Sequence, residues 1–237
     1  MSISLRTFLH LGTKIGTALL AQDCLLCQAA SGAQLLCDAC ARELPAIGPV
    51  CPRCAAAGTA GAECGACIAA VPHFDATRAA FVYAHPVDAL IQSLKYGGQL
   101  ALAGLFAQQL HRRIGDAGGV DLILPLPLHP ARLAARGFNQ AAEIARILAR
   151  LTGIRMDTRL ARRVRDTAPQ TALPWRDRET NMRRAFACDA GLGGLRIAVV
   201  DDVMTTGATL NEFARTLKAS GAAHVENWVV ARTARDV

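Results

Sequence analysis

The sequence predicts an α/β fold, in which a twisted, mainly parallel sheet is flanked by helices and follows a small cysteine-rich domain. Residues 195–200 form a short, largely apolar run rich in β-branched residues, and a helical pattern follows at about 208–220. That pairing is typical of a buried parallel strand and its connecting helix. Eight of the nine cysteines fall between residues 24 and 67, in four C-x-x-C pairs. This spacing is typical of metal ligands and predicts the second domain.

Composition limits the classes of function. The chain has 237 residues, 52% of them apolar, and a net charge of +7. This indicates one or two domains with a sizeable core, and anionic ligands or a nucleic-acid surface. The charge comes from 23 Arg and only 3 Lys, a ratio that a GC-rich coding sequence also produces. No stretch is long and apolar enough to span a membrane, so we expect no transmembrane segment and a cytoplasmic protein.

Residues 1–21 are predicted to contain an amphipathic helix at about 4–20. Its apolar side chains lie roughly on one side, and they are Leu5, Phe8, Leu9, Ile15 and Leu19. Scattered charges leave no clean apolar core for a signal peptide. We expect the helix to pack on the body of the protein, with a membrane-surface role as the less favoured alternative.

Residues 22–70 are predicted to form the metal-binding domain. The gaps between the four pairs are nine, ten and nine residues, and the pairs are Cys24/Cys27, Cys37/Cys40, Cys51/Cys54 and Cys64/Cys67. Two C-x-x-C turns supply the four thiolates of a tetrahedral zinc, so two structural zinc ions are expected. The simplest assignment is sequential, although an interleaved pairing, or iron in place of zinc, also fits. Disulfides and redox motifs are the less favoured alternatives.

Residues 71–237 are predicted to form the main domain. A strand at 79–84 is followed by a helix at 86–94 and then by Lys95-Tyr96-Gly97-Gly98, in which Lys95 is either a solvated helix end or a phosphate clamp. A second helix is expected at 100–114.

A strand at 121–125 leads into a proline-rich turn and then a helix that reaches Leu151 with a break near Gly137. In a doubly wound sheet, the start of this helix lies on the same rim as the end of the 195–200 strand. Its polar residues are Arg132, Arg136, Asn139 and Gln140. A basic helix surface is the alternative interpretation.

Weaker patterns predict strands at 160–164, 183–187 and 225–231, and a buried Cys188. Between the first two lies the polar segment 165–181, which is long for a connection and therefore either functional or disordered.

The strongest candidate site follows the 195–200 strand. Two carboxylates, Asp201 and Asp202, come first, and a hydroxyl-rich loop and a helix N-terminus follow. Loop amides and a helix N-terminus attract a phosphate, whereas ionised carboxylates accept hydrogen bonds from a sugar diol. The pattern therefore predicts a phosphosugar site.

This stretch closely resembles the signature of type I phosphoribosyltransferases. The resemblance implies a site for phosphoribosyl pyrophosphate (PRPP) and magnesium. It also implies that Asp201 and Asp202 form the catalytic pair that holds the ribose 2- and 3-hydroxyls. The loop that wraps the 5-phosphate would consist of Met204, Thr205, Thr206, Gly207, Ala208 and Thr209.

The segments PLPLHPARLAARGFNQ and LKYGGQ, together with the cysteine pairs, resemble the ComF-type (GntX-like) family, which joins a double zinc ribbon to a phosphoribosyltransferase domain. The resemblance implies a pyrophosphate loop at 126–130 that includes His129, with positive charge from Arg132, Arg136 and Lys95. That loop contains prolines and lacks the usual glycines. Segment 165–181 would be the mobile catalytic loop, with matching residues Thr167, Gln170, Arg176, Arg178 and Asn181.

The family is associated with DNA uptake in natural competence, which implies single-stranded DNA and competence proteins as partners. Two hypotheses follow. The first is a PRPP-binding protein of DNA uptake that transfers phosphoribose to an unidentified acceptor if it is an active pentosyltransferase. The alternative is a non-catalytic single-stranded-DNA-binding protein whose PRPP site is regulatory or vestigial. The aromatic residues available for stacking on bases are few, and they are Tyr83, Tyr96, Phe138 and Trp175.

Overall fold

The computed structural model describes residues 22–116, 119–165, 182–189 and 191–234. The predicted N-terminal helix lies outside the described residues, as does all of the predicted mobile loop except Arg165. No helix within these ranges is long and apolar enough to cross a bilayer.

The chain divides into two compact units between Leu44 and Pro45. The described part of the first unit contains a two-stranded antiparallel ribbon, β1 (Gln22–Asp23) and β2 (Ala30–Gly32), and helix α1 (Asp38–Arg42). The first two C-x-x-C pairs lie in this unit, and the last two lie in the second unit with the sheet. The domain limits expected at 22–70 and 71–237 stay a prediction.

The second unit contains the main sheet and its helices. Its first helix is the short α2 (Gly65–Ala69), which begins after Cys64 and contains Cys67. The remaining elements, in chain order, are β3 (Ala76–Val82), α3 (Val87–Tyr96), α4 (Leu102–Ile114), β4 (Leu122–Pro125), α5 (Pro130–Arg136), α6 (Gln140–Thr152), β5 (Ala161–Arg163), β6 (Phe186–Cys188), β7 (Arg196–Met204), α7 (Ala208–Ala219) and β8 (His224–Arg232).

The main sheet has four parallel strands in the order β3-β8-β7-β4. Because β7 pairs with both β4 and β8, its C-terminal end lies in the middle of the rim. Pro125 is opposite Val200 and Asp201 is opposite Val229. Strands β5 and β6 form a separate antiparallel pair. The predicted fold class is therefore confirmed in its parallel sheet, its flanking helices and its N-terminal cysteine-rich region.

Helices cover both faces of the sheet. On one face, α4 contacts β3 and β8 while α6 contacts β4 and β7. On the other face, Phe213 and Leu217 of α7 pack with Ile197 and Val199 of β7 in one buried cluster. Burial on both faces explains why residues 197–200 of β7 form a continuous apolar run.

Several predicted boundaries shift in the structure. Strand β7 continues to Met204, so Asp201 and Asp202 lie within the strand, near its C-terminal end, rather than after it. Backbone pairing with β8 extends to the Met204–Arg232 register and carries the strand past the acids. Strand β6 begins at Phe186 instead of residue 183, and Cys188 is only half-buried. The break between α5 and α6 falls at Gly137, as predicted.

Candidate functional site

The loop between β7 and α7 is short and tightly constrained. Gly207 is the N-cap of α7 and has a φ of +87°. The positive φ favours glycine, and a Cβ at this position would lie 2.6 Å from the Met204 Cε, so the buried Met204 methyl would have to move. Thr206 Oγ1 accepts a hydrogen bond of 3.1 Å from the Ala208 backbone N–H. The loop thus leads directly into a helix N-terminus, an arrangement that favours anions.

Asp201 and the loop share one small hollow of about 30 Å³. Its lining consists of Asp201, Val203, Met204, Thr205, Gly207, Thr209 and Leu210. This is room for about one water molecule, so only part of a phosphate could enter it. The Met204 side chain is buried in the core, which leaves its backbone as the part that could contact a ligand.

The two carboxylates have different surroundings, because consecutive strand residues point to opposite faces. Asp202 is buried and its Oδ1 lies 3.0 Å from the Lys95 Nζ. Its Oδ2 is buried without a hydrogen-bond partner among the described residues. Asp201 is half-buried, and its Oδ1 accepts a 2.8 Å hydrogen bond from the Asp202 backbone N–H.

Burial and charge shift the pKa values of this group. Burial raises the pKa of Asp201, and the neighbouring Asp202 carboxylate adds to the effect, so that it reaches about 7. Burial alone would lower the pKa of Lys95, but the charge and hydrogen bond of Asp202 outweigh it and raise the value. Lys95 is therefore held as a cation beside the acids. A carboxylate with a pKa near 7 is a frequent feature of functional sites.

A cleft of about 360 Å³ lies beside this ion pair. It is lined by Lys95, Tyr96, Arg132, Ala135 and Arg136, so α3 and α5 bring three cations together. The Arg136 guanidinium lies 5.1 Å from the centre of the Tyr96 ring, and Tyr96 is 73% exposed. The cleft can therefore accept an anionic group with an aromatic surface at its edge.

The proline-rich turn is fixed against the sheet next to the acids. The Leu126 backbone N–H donates to the Val200 carbonyl at 2.9 Å, and the Asn139 side chain donates to the Leu126 carbonyl at 3.0 Å. His129 is the N-cap of α5, and its Nδ1 accepts from the Ala131 backbone N–H. His129 thus has a capping role in the turn, beside Arg132 on the same helix.

The eight paired cysteines form two clusters. In each, the Sγ atoms lie within 4.8 Å of one another, and the grouping is sequential, with Cys24, Cys27, Cys37 and Cys40 in one and Cys51, Cys54, Cys64 and Cys67 in the other. Cross-pair Sγ distances of 3.7 Å (Cys27 to Cys37) and 3.6 Å (Cys54 to Cys64) are too long for disulfides.

The thiols of the second cluster differ in how readily they ionise. Burial raises the pKa of Cys54 and of Cys67, and at Cys67 the neighbouring thiols add to the effect. Burial opposes the thiolate of Cys64, but the Cys67 backbone N–H and the neighbouring thiols outweigh it and lower its pKa to about 7. Four convergent sulfur donors, one of them readily ionised, match the donor set of a structural zinc site.

The sequence interpretation assigned no role to Arg232, which the structure places behind the loop. Its side chain is 1% exposed. Nη1 donates to the Met204 carbonyl at 3.0 Å and to the Thr205 carbonyl, while Nε donates to the Cys54 carbonyl at 2.9 Å. The only available signal was an arginine at the end of the apolar run 225–231, and that pattern does not reveal its partners.

The structure thus brings the predicted residues into two neighbouring groups. Asp201 and the 204–209 loop form one, and Lys95, Arg132 and Arg136 form the other, with Asp202 joined to the second by its ion pair.

Comparison with known proteins adds independent information. The family model described as "Double zinc ribbon domain" matches residues 15–68. DNA utilization protein YhgH of Salmonella typhi is 35% identical over 205 residues, which cover 84% of this chain and 90% of that protein. Competence protein F of Haemophilus influenzae is 31% identical over 207 residues, with 83% and 90% covered. Among solved structures, the allosteric regulatory enzyme of purine biosynthesis is 20% identical with a TM-score of 0.37, and the match covers 55% of this chain and 25% of that one.

Proposed function

Since this chain belongs to the ComF/GntX-like family, together with DNA utilization protein YhgH and competence protein F, we propose that it acts in the uptake and use of DNA and binds PRPP with Mg²⁺ at the rim of its sheet. The observation that carries the proposal is that an acidic pair, a loop that ends at Gly207 and a helix N-terminus follow one another at the end of β7.

Each part of PRPP finds a matching group. The 5-phosphate would seat at the mouth of the Thr205–Thr209 loop, where backbone amides and the α7 N-terminus favour negative charge. The ribose hydroxyls would donate to Asp201, which lines the hollow at the loop, while the buried Asp202 holds Lys95 beside the cleft. The pyrophosphate would extend toward the cleft lined by Lys95, Arg132 and Arg136.

The donor set also fits a magnesium ion, which prefers carboxylate and phosphate oxygens. Asp201 is the residue of this chain that could hold it, together with PRPP oxygens. When bound, the ion would neutralise charge on the pyrophosphate. If transfer occurs, an acceptor nucleophile bonds to the anomeric carbon as the bond to pyrophosphate breaks, and the cations of the cleft stabilise the departing pyrophosphate.

The two cysteine clusters would hold zinc in a structural role. Metal analysis of the purified protein tests this, with two zinc per chain expected. Iron in either cluster would give a visible absorption band and would correct the assignment.

Calorimetry tests the phosphosugar site. PRPP with Mg²⁺ is titrated into the zinc-loaded wild type, the Asp201→Asn variant and a control, Asp121→Asn, which removes an exposed carboxylate just before β4, at the opposite end of the sheet from the loop. Binding by the wild type and the control, with at least tenfold weaker binding by Asp201→Asn, is expected (about 1.4 kcal/mol per tenfold change). Absence of binding by the wild type contradicts the proposal. Pyrophosphate release with a panel of acceptors then tests catalysis.

The Tyr96–Arg136 pair favours a second candidate, a non-catalytic protein that binds single-stranded DNA in the cleft. An exposed aromatic ring beside three cations suits base stacking and phosphate contacts. Fluorescence anisotropy with an oligothymidylate over a salt series tests it. Affinity should fall with salt and weaken in Tyr96→Ala and Arg132→Ala, whereas equal affinity in both variants would place any DNA surface elsewhere.

A further inference from the structure

We propose that the second cysteine cluster is a structural part of the phosphate loop, and that Arg232 is the positioning residue that couples metal occupancy of this cluster to phosphosugar binding. The inference rests on the proposed function for its ligand, PRPP, but its contacts are independent of that function.

Arg232 joins the cluster to the loop directly. Its buried guanidinium donates to carbonyl oxygens on both, with Cys54 on the cluster side and Met204 and Thr205 on the loop side. Met204 and Thr205 are the first residues of the proposed phosphate-binding loop, and Cys54 is a proposed metal ligand. One planar guanidinium therefore links these two backbone segments directly.

Further contacts hold the cluster and the sheet in register. The Thr77 backbone N–H of β3 donates to the Pro52 carbonyl at 3.1 Å, between the ligands Cys51 and Cys54. After the cluster, the His73 backbone N–H donates to Asn211 Oδ1 at 2.6 Å, in the first turn of α7. Phe74 is buried in the same hydrophobic core as Cys54 and Met204. The cluster thus contacts β3 and β8, and the segment that follows it contacts α7 at the base of the loop.

The effect of metal binding would reach the 204–209 loop through these contacts. A metal on Cys51 and Cys54 fixes their turn and hence the Cys54 carbonyl, which in turn restrains the Arg232 side chain. Without the metal the turn can relax, the guanidinium loses a fixed acceptor, and the loop carbonyls lose their common anchor. Phosphate binds more tightly when the loop amides are preorganised to face it. Disorder in the loop therefore lowers phosphate affinity. Linkage requires the reverse effect as well, so bound phosphosugar should strengthen metal retention in the second cluster.

The chain supplies its own comparison, because the first cluster lies in the other compact unit, before the boundary at Leu44 and Pro45. Full-length Cys64→Ser and Cys27→Ser proteins each lose a ligand of one cluster. Zinc content, PRPP–Mg²⁺ affinity and amide hydrogen exchange of a peptide that covers 204–209 are measured on both. We expect Cys64→Ser to bind PRPP about tenfold or more weakly and to exchange faster in 204–209, and Cys27→Ser to lose zinc while retaining wild-type values for both.

Arg232→Lys tests the coupling itself, since it keeps the charge but not the planar set of donors. We expect faster exchange in 204–209, weaker PRPP binding and faster zinc loss to a chelator from the second cluster alone. The exposed Arg78→Lys on β3 is the control. Wild-type exchange and wild-type zinc loss in Arg232→Lys would overturn the inference, even if Cys64→Ser fails to fold.

The outcomes separate the two proposals. If the wild type binds no PRPP, the proposed function fails, while exchange and zinc loss still decide the coupling. If the wild type binds PRPP and all variants bind it equally, the function stands and the coupling fails.

Discussion

The Lys95–Asp202 ion pair gives a quantitative prediction for the sheet rim. Its charged atoms are 3.0 Å apart, and the side chains are 18% and 5% exposed. With an effective dielectric constant of about 20, Coulomb attraction at this distance is about 5.5 kcal/mol. Desolvation of both ions offsets much of that, so the net value of the pair is small. Removal of one partner is different, because it leaves a buried charge uncompensated, at a cost of about 3–5 kcal/mol.

A double-mutant cycle measures the coupling. Free energies of unfolding from urea denaturation are compared for the wild type, Lys95→Met, Asp202→Asn and the double variant. We expect each single change to lower stability by about 3 kcal/mol or more, and the double change to cost less than the sum of the two by about 2 kcal/mol.

The exposed pair Glu143–Arg146 on α6 is the matched control, with side chains 28% and 51% exposed. The same cycle there should give a coupling below about 1 kcal/mol. Additive effects of Lys95→Met and Asp202→Asn, or equal coupling for both pairs, would refute the claim that burial makes the rim pair a coupled unit.

Three other predictions concern the loop, the acid and the turn. Gly207→Ala should lower stability by about 1–2 kcal/mol because of its left-handed φ, and by a further amount because its Cβ would lie 2.6 Å from the Met204 Cε. Gly137 has a φ of +83° but open space around it, so in thermal melts Gly137→Ala should show only the loss that comes from the backbone. Equal losses in the two variants would contradict a contribution from the Met204 contact. Because the folded pKa of Asp201 is about 7, above its ordinary 3.8, its proton stabilises the fold at low pH and that contribution is lost as pH rises through 7. The stability advantage of wild type over Asp201→Asn should thus be smaller at about pH 8 than at about pH 5.5, and a larger one would contradict the assigned shift. Asn139→Ala, which removes the α6 cap and the bond to Leu126, should cost about 1–2 kcal/mol in urea denaturation, and no loss would show the cap to be dispensable.

Local patterns in the sequence predicted most of the elements that form the site. The apolar run before Asp201, the threonine–glycine loop and the helix after it occur as expected, because strand burial and helix start signals are read from adjacent residues. The four C-x-x-C pairs likewise predicted two four-cysteine clusters, and the structure decided for the sequential grouping over the interleaved one. Strand ends were less accurate, as at Met204, because pairing with β8 decides where β7 stops.

The sequence alone therefore determined which polar residues stand at the end of β7 and which cysteines form the two clusters. Only the tertiary structure decided which charges meet. Lys95 pairs with Asp202, which lies 107 residues later in the chain. Arg232 connects Met204 with Cys54, which lies 178 residues before the arginine. Such contacts depend on strand order and on the direction in which each side chain leaves its element. Neither quantity is encoded in a local pattern, since the parallel sheet brings its C-terminal strand ends together only when the whole chain has folded.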